Sequence, residues 1–211
     1  MQKNILKKGL KLLGSAFFAG YMALALSRPV YAEEHNLNKN KTSFQVVLGG
    51  LSSSICKIGP ESPDINYLQT SLRMGWVLDK PAFPRGNLEA LFEVSGSKIY
   101  KGPGDHLIGL ASFLRYNAVK PDWKFIPYAQ LGAGIVYTDI YKDKSQDTIG
   151  QALNFTLQTS AGFNYSINEK WSVGVEVGIL HASCGSSIFK QTKRNDGGNF
   201  FRTSGSVTYN F

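Results

Sequence analysis

The final eleven residues of the chain alternate between two kinds of side chain. Most odd positions are apolar or aromatic, and every even position is polar. The odd set is Phe201, Thr203, Gly205, Val207, Tyr209 and Phe211, and the even set is Arg202, Ser204, Ser206, Thr208 and Asn210. Because successive side chains of a β-strand point to opposite faces of the sheet, this pattern predicts a strand with one apolar and one polar face.

The two apolar segments before it alternate in the same way. In 171–179, Trp, Val and Ile occupy the odd positions and Ser, Gly and Glu the even ones. In 153–164, Leu, Phe and Ala occupy most odd positions, and most even positions are Asn, Thr, Gln or Ser. A soluble β-sandwich also alternates, so alternation alone does not separate a sandwich from a transmembrane barrel.

Two further features favour the transmembrane barrel. Charged residues fall in the polar set of several strands, namely Arg73, Glu89, Glu93, Glu176 and Arg202. The filled interior of a small barrel allows such residues to pair with one another. The apolar set carries aromatic residues towards the strand ends, as in the aromatic girdle of an outer-membrane barrel: Phe44, Trp171, Tyr209 and Phe211. The terminal Phe also resembles the signal by which such barrels are recognised for assembly.

Turn signals divide the chain into eight strand-like segments. They lie at about 43–56, 66–78, 88–99, 106–118, 124–138, 153–167, 171–183 and 199–211. An even number of strands closes an antiparallel barrel with both termini on one side of the membrane. The sequence therefore predicts an all-β fold, an eight-stranded antiparallel transmembrane β-barrel over residues 43–211.

The lengths of the connections indicate which end of the barrel faces outward. With the N-terminus on the periplasmic side, the long 139–152 and 184–198 connections are extracellular, and the short 120–122 and 168–170 turns are periplasmic. The 79–87 connection is longer than this orientation predicts for the periplasmic side.

The first 32 residues predict a cleaved signal peptide. Four lysines within the first eleven positions precede an apolar run over 16–26, which is too short to span a bilayer as a helix. Ala32 supplies the small residue at which signal peptidase cuts, and an uncleaved anchor is the alternative. Residues 33–42 are polar and are predicted to form a flexible periplasmic lead-in.

Removing the signal peptide also removes most of the excess positive charge. The chain has 23 basic and 15 acidic residues; five of the basic residues and none of the acidic ones lie in 1–32, which leaves 18 against 15, or +3. The sequence shows no basic stripe with interleaved aromatic residues, so we do not expect a nucleic-acid partner. It also shows no cluster of metal ligands, so we expect neither metal nor cofactor.

His181 and Ser183, at the end of the seventh segment, are the residues best suited to chemistry. They are two positions apart, so they share a strand face, and by parity with Val173 and Val177 that face meets lipid near the outer leaflet. Adjacent same-face positions lie roughly 6.5–7 Å apart at Cα. At that spacing an imidazole can reach a serine hydroxyl and take its proton. The alternative is a pair of polar residues at the level of the lipid headgroups.

The two cysteines, Cys56 and Cys184, lie at extracellular strand ends in an oxidising compartment. One strand separates theirs, so two strand spacings of ~9.6 Å lie between them. This exceeds ordinary disulfide reach. Movement of a loop would close the gap, so the sequence does not decide whether a Cys56–Cys184 disulfide forms.

From about residue 104 to Phe211 the sequence resembles the lipid A 3-O-deacylase (acyloxyacyl hydrolase-like) outer-membrane barrels. The order and spacing of several short stretches carry this resemblance. They are Gly109-Leu110, Leu114-Arg115-Tyr116-Asn117, Pro127-Tyr128, Gly132-Ala133-Gly134, Asn154-Phe155-Thr156-Leu157-Gln158, Ala161-Gly162, His181-Ala182-Ser183 and Asn195-Asp196-Gly197-Gly198-Asn199.

The resemblance implies that Ser183 is the nucleophile, His181 the general base and Asn195 part of the oxyanion hole. The acid that orients the histidine in well-known members falls at Asn199, which is an amide here. An amide oxygen holds an imidazole in place but stabilises the imidazolium less than a full charge does.

Two neighbouring positions bear on how complete this site is. Asp196 is an alternative acid for the histidine. Cys184 stands where the family usually has an asparagine, so any role of that asparagine is missing from this chain.

The expected substrate is lipid A of lipopolysaccharide in the outer leaflet. Lys190, Lys193 and Arg194 give the 184–198 loop a basic excess over Asp196, and these cations are candidate contacts for lipid A phosphates. A solvated loop is the alternative. A homodimer also stays open.

Three functions therefore come into question. The first is an esterase that removes an ester-linked (3-O) acyl chain from lipid A. The second is a non-catalytic small outer-membrane barrel with a structural or surface-interaction role, in which Cys184 and Asn199 mark lost activity. The third is an acyltransferase that acts on the same lipid.

Overall fold

The computed structural model describes residues 42–55, 63–79, 86–119, 123–184 and 196–211. The eight strands found there are β1 (Thr42–Ser52), β2 (Asn66–Asp79), β3 (Asn87–Lys101), β4 (His106–Asn117), β5 (Phe125–Thr138), β6 (Leu153–Ser166), β7 (Trp171–Ser183) and β8 (Gly198–Asn210). Each strand pairs antiparallel with the next, and β1 pairs with β8, so the sheet closes into a barrel.

The predicted strands and the predicted fold class are confirmed. Most strand bounds agree to within one or two residues. The largest difference is at β1, which ends at Ser52 because the chain turns at Ser54 and Ile55. The signal peptide, nearly all of the polar lead-in and most of the 79–87 connection lie outside the described residues.

The outer surface of the barrel is a belt of apolar side chains. Odd positions of β7 show this clearly, because Val175 is 49% and Val177 51% exposed while Glu176 between them is buried. Aromatic rings mark one end of the belt, where Tyr209 makes edge contacts with Trp171 and with Phe211, each at 5.0 Å between ring centroids. The predicted lipid-facing parity is therefore confirmed.

In the described part of the chain, no helix has the length and apolar character needed to cross a membrane.

Charged side chains fill the middle of the barrel interior. Glu176 accepts hydrogen bonds from Arg73 Nη1 at 3.0 Å and from Tyr128 and Gln130 at 3.0 Å each, and it also pairs with Arg202. Arg73 in addition pairs with Glu93 at 2.5 Å. All five charged residues that the alternation placed inside are buried there: Arg73, Glu89, Glu93, Glu176 and Arg202.

A third arginine completes this network. Arg115 lies 3.5 Å from Glu89, donates to Gln130 at 2.8 Å and stacks over the Tyr128 ring at 4.2 Å. Three buried arginines thus face three buried glutamates, so the charges of this set balance. A balanced and hydrogen-bonded set is the form in which buried charge is tolerated.

The end of the barrel opposite the termini has an apolar interior instead. Leu51, Tyr67, Leu107, Val136, Leu180 and Phe200 belong to this buried cluster. Ile140 and Ile149 join it from the β5–β6 connection, and both are fully buried. The connection, residues 139–152, is named here the mouth connection; it begins with a short 3-10 helix, Ile140–Lys142.

The mouth connection is attached to the strands on both of its sides. Asp139 Oδ1 accepts the backbone N–H groups of Asp105 at 2.8 Å and of His106 at 3.2 Å, next to β4. Near its other end, the carbonyls of Asp147 and Thr148 accept the N–H groups of the two residues that precede β8. The connection therefore bridges the β3–β4 turn and the start of β8.

Glu176→Gln tests the charge network. Removing one charge leaves Arg73 and Arg202 without full compensation, so we expect the free energy of unfolding to fall by about 3 kcal/mol. Urea unfolding of the barrel in lipid vesicles, followed by tryptophan fluorescence, measures the loss. Asp105→Asn, at an exposed carboxylate that pairs with Lys98 at the surface, is the control, and equal unfolding midpoints for the two variants would contradict the role of the network.

Asp139→Asn tests the attachment of the mouth connection. Burial raises the pKa of Asp139, but hydrogen bonds from the N–H groups of Asp105 and His106 outweigh this effect. The pKa therefore lies below its ordinary value. A lowered folded-state pKa stabilises the fold above the unfolded pKa of about 4, and this stabilisation is lost as the pH falls through the folded value. The variant should unfold at lower urea than the parent at pH 7, and the difference should shrink below about pH 4.

The matched control for this measurement is Asp105→Asn, because the Asp105 carboxylate is exposed and pairs with Lys98 at the surface. A surface pair of this kind contributes little to stability. An Asp139→Asn difference that stays constant down to the lowest pH would refute the assignment.

Candidate functional site

His181 and Asn199 lie side by side on the outer surface of the barrel. They are paired residues of β7 and β8, and Nδ1 of His181 is 2.7 Å from Oδ1 of Asn199. An amide oxygen only accepts, so the Nδ1 of a neutral ring carries the proton and Nε2 is left with its lone pair. The arrangement therefore presents an oriented imidazole that can take a proton at Nε2.

Ser183 lies on the same face of β7, two residues beyond His181. Both side chains are half-buried, whereas Ala182 between them points inward and is 1% exposed. Ser183 is the last residue of β7 and pairs with Phe155 of β6. A hydroxyl, an imidazole and an amide thus follow one another along the outer face of two neighbouring strands.

Gly197 closes this group of residues from the β8 side. A Cβ at this position would stand 3.1 Å from His181 Cε1 and 3.4 Å from Ser183 Cβ, and the residue has φ +79°. A side chain here would be strained and would crowd the imidazole. Glycine is therefore the residue that this corner of the site accommodates.

The surface around the site is apolar. Leu157, opposite His181 on β6, is 63% exposed. Ile179 and Phe201 form the next outward-facing pair of β7 and β8. An acyl chain lying in the outer half of the membrane would meet this surface beside the imidazole.

The remaining predicted residues are placed as follows. Asp196 is exposed, and its N–H donates to Asp147 O at 2.8 Å; the residue that contacts His181 is Asn199. Cys184 is buried, with its thiol free among the described residues. Cys56, Lys190, Lys193, Arg194 and Asn195 lie outside the described residues, so the disulfide, the phosphate contacts and the oxyanion-hole residue stay predictions.

Among the ranges that the structure describes, no group of three or more His, Cys, Asp and Glu side chains is arranged to hold a metal ion.

Sequence reasoning missed two parts of the molecule, one in the barrel interior and one beside this site. Arg115 has the inward parity of β4, a signal that was present in the alternation. Gly197 and its bonds to the mouth connection could not be inferred from strand patterns, because they join segments about fifty residues apart.

Comparison with known proteins points to one family. The model of the family described as lipid A 3-O-deacylase (PagL) matches residues 66–211, which extends the resemblance back to the start of β2. No curated protein matches the sequence.

Two solved structures share the fold. The crystal structure of the outer membrane enzyme PagL is 20% identical, covers 78% of this chain and 97% of its own, and gives a TM-score of 0.53. The crystal structure of Neisserial surface protein A (NspA) is 16% identical, covers 81% of this chain and 97% of its own, and gives a TM-score of 0.51. At these identities, the likeness establishes the barrel fold alone.

Proposed function

Because this chain is an outer-membrane β-barrel that belongs to the lipid A 3-O-deacylase (PagL) family, we propose that it hydrolyses the ester-linked 3-O acyl chain of lipid A. The reaction takes place on the lipid-facing side of the barrel through Ser183 and His181, with Asn199 as the residue that orients the histidine. The substrate is lipopolysaccharide in the outer leaflet. No cofactor takes part.

The contact between His181 Nδ1 and Asn199 Oδ1, at 2.7 Å, is the observation that carries this proposal. Acyl transfer by serine needs a hydroxyl, a base within reach of it and a third group that fixes the base. The described residues supply all three types on one outward face. A purely structural strand has no need to hold an imidazole in one orientation at a lipid-facing position.

In the first half of the reaction, Ser183 Oγ attacks the carbonyl carbon of the acyl ester while His181 Nε2 takes its proton. The tetrahedral intermediate collapses as the bond from the carbonyl carbon to the 3-oxygen of lipid A breaks. His181 returns the proton to that leaving oxygen. The products of this half are the 3-hydroxyl of lipid A and an acyl ester on Ser183.

In the second half, water attacks the acyl-Ser183 ester, and His181 Nε2 takes a proton from the water. The bond from the acyl carbon to Ser183 Oγ breaks, and His181 returns the proton to Oγ. A free fatty acid leaves. Asn195 is the proposed donor to the oxyanion in both halves, by its resemblance to the family residue.

The position of the site suits a substrate that stays in the membrane. His181 and Ser183 are at the end of β7 that lies opposite the chain termini, which the connection lengths predict to be the extracellular end. Lipid A lies at this level, with its acyl chains against the apolar surface and its phosphates above. Lys190, Lys193 and Arg194 are the proposed phosphate contacts.

Ser183→Ala tests the nucleophile. Mass spectrometry of lipid A should show loss of one hydroxyacyl chain in cells that make the parent protein and intact lipid A in cells that make the variant. Ser112→Ala, which alters an exposed serine elsewhere on the outer surface, is the control and should deacylate normally.

Each other outcome identifies a different error. Deacylation that survives Ser183→Ala refutes the site. Lipid A that is unchanged by the parent protein points to a non-catalytic barrel, and lipid A that gains a chain points to an acyltransferase.

Substitutions at Asn199 test the orienting contact. Asn199→Ala leaves the imidazole unanchored, so we expect kcat to fall about 10²-fold. Asn199→Asp keeps the shape of the side chain and adds a charge that stabilises the imidazolium, so we expect kcat to rise roughly tenfold at neutral pH. Turnover of purified lipid A in detergent micelles measures both. An unchanged rate in Asn199→Ala would show that the contact plays no part.

A further inference from the structure

We propose that residues 146–149 of the mouth connection are a positioning element for the site, acting through Gly197. This inference rests on the proposed function. Its physical content is that residues 146–149, which do not touch the substrate, hold the start of β8 where Gly197 abuts His181 and Asn199 meets the imidazole.

Residues 146–149 are held in place by the apolar cluster and by hydrogen bonds within the mouth connection. Ile140 and Ile149 are fully buried in the apolar cluster that fills this end of the barrel. Gln146, between these two isoleucines, is 5% exposed. Its side-chain amide donates hydrogen bonds to Ile149 O at 2.9 Å and to Ile140 O at 3.3 Å, and it accepts one from the Ile149 N–H at 2.9 Å. A buried amide with these partners fixes one loop conformation.

Two backbone hydrogen bonds join this part of the mouth connection to the start of β8. Asp196 N–H donates to Asp147 O at 2.8 Å, and Gly197 N–H donates to Thr148 O at 3.0 Å. The fit continues at the next residue, where a Cβ on Gly198 would stand 3.2 Å from Thr148 Cγ2. Two consecutive hydrogen bonds thus join residues 147–148 to residues 196–197, although the β5–β6 connection is not a sequence neighbour of β8.

Gly197 links the mouth connection to the site. A Cβ on Gly197 would stand 3.1 Å from His181 Cε1 and 3.4 Å from Ser183 Cβ, so this position leaves no room for a side chain beside the imidazole. Its left-handed φ of +79° sets the direction in which the chain enters β8. Asn199 follows two residues later and makes the 2.7 Å contact with His181. A shift of Gly197 would therefore move both residues beside the imidazole, Gly197 itself and Asn199.

Gln146→Ala, on the full-length protein, is the central test. Loosening residues 146–149 should lower kcat about tenfold while KM changes less than about twofold, because a small misplacement of the base affects chemistry more than binding. In the Asn199→Ala background the same change should cost less than about twofold, because both act through the orientation of His181. Gln151→Ala is the matched control, since its side chain is half-buried and donates to Leu153 O at 2.7 Å, two residues along the chain.

A readout that does not depend on turnover separates this inference from the proposed function. In the purified barrel labelled at histidine Cε1 with ¹³C, the His181 signal is identified by its loss in His181→Ala. Gln146→Ala should shift this signal in the direction in which Asn199→Ala shifts it, and Gln151→Ala should leave it in place. If the variants show these shifts but the parent protein does not deacylate lipid A, the proposed function is refuted and the positioning role remains intact.

A folded Gln146→Ala barrel with parental kcat and an unmoved His181 signal would overturn the positioning role. Should Gln146→Ala fail to fold, as judged by electrophoretic mobility without heating, Gly197→Ala against Gly50→Ala decides the matter. A Cβ at Gly50 meets nothing within 4 Å, so that variant should match the parent. Gly197→Ala should shift the His181 signal and lower kcat at least about tenfold, and a Gly197→Ala barrel that behaves like Gly50→Ala would refute the proposal.

Discussion

The hydrocarbon core of a bilayer offers no hydrogen-bond partners, so every backbone N–H and C=O that crosses it must find a partner within the protein. The pairing of β1 with β8 meets this requirement, because it leaves no open edge in the sheet. Closure in turn assigns every residue of a strand to one of two sides. The group formed by His181, Ser183 and Asn199 depends on that assignment: all three have outward parity, and only the antiparallel register of β7 with β8 brings the amide to the imidazole.

The interior of the barrel is divided between two solutions to the same packing problem. Its middle is filled by three arginines and three glutamates that neutralise one another, and the end opposite the termini by an apolar cluster that includes two isoleucines of the mouth connection. The charged part needs no loop, since strand residues complete it. The apolar part does need one, because Leu51, Tyr67 and Phe200 would otherwise face water. Covering these side chains brings the mouth connection close to the start of β8.

The sequence was sufficient for the strands, the two faces and the placement of His181 and Ser183 on one outward face, because a period of two is a local property. The parity of Asn199 followed from the same pattern, and the resemblance to a family suggested its role. The bonds from Asp147 and Thr148 to Asp196 and Gly197 were beyond this reasoning, since they depend on where a long connection folds in space. The same limit explains why β1 was predicted to end four residues too late: a turn that begins inside an apolar, serine-rich run leaves no break in the alternation.

The filled interior also determines how reactants can arrive. Arg73, Arg115 and Glu176 are buried and packed across the middle of the barrel, whereas His181 and Ser183 lie on its outer surface. In the proposed hydrolysis the acyl ester therefore diffuses laterally within the leaflet, while water has to descend from the cell exterior along the rim. Ser183, the last residue of β7, stands where these two routes cross. An enzyme built in this way works at a phase boundary, and its rate depends on hydration of the headgroup layer as well as on the chemistry of its side chains.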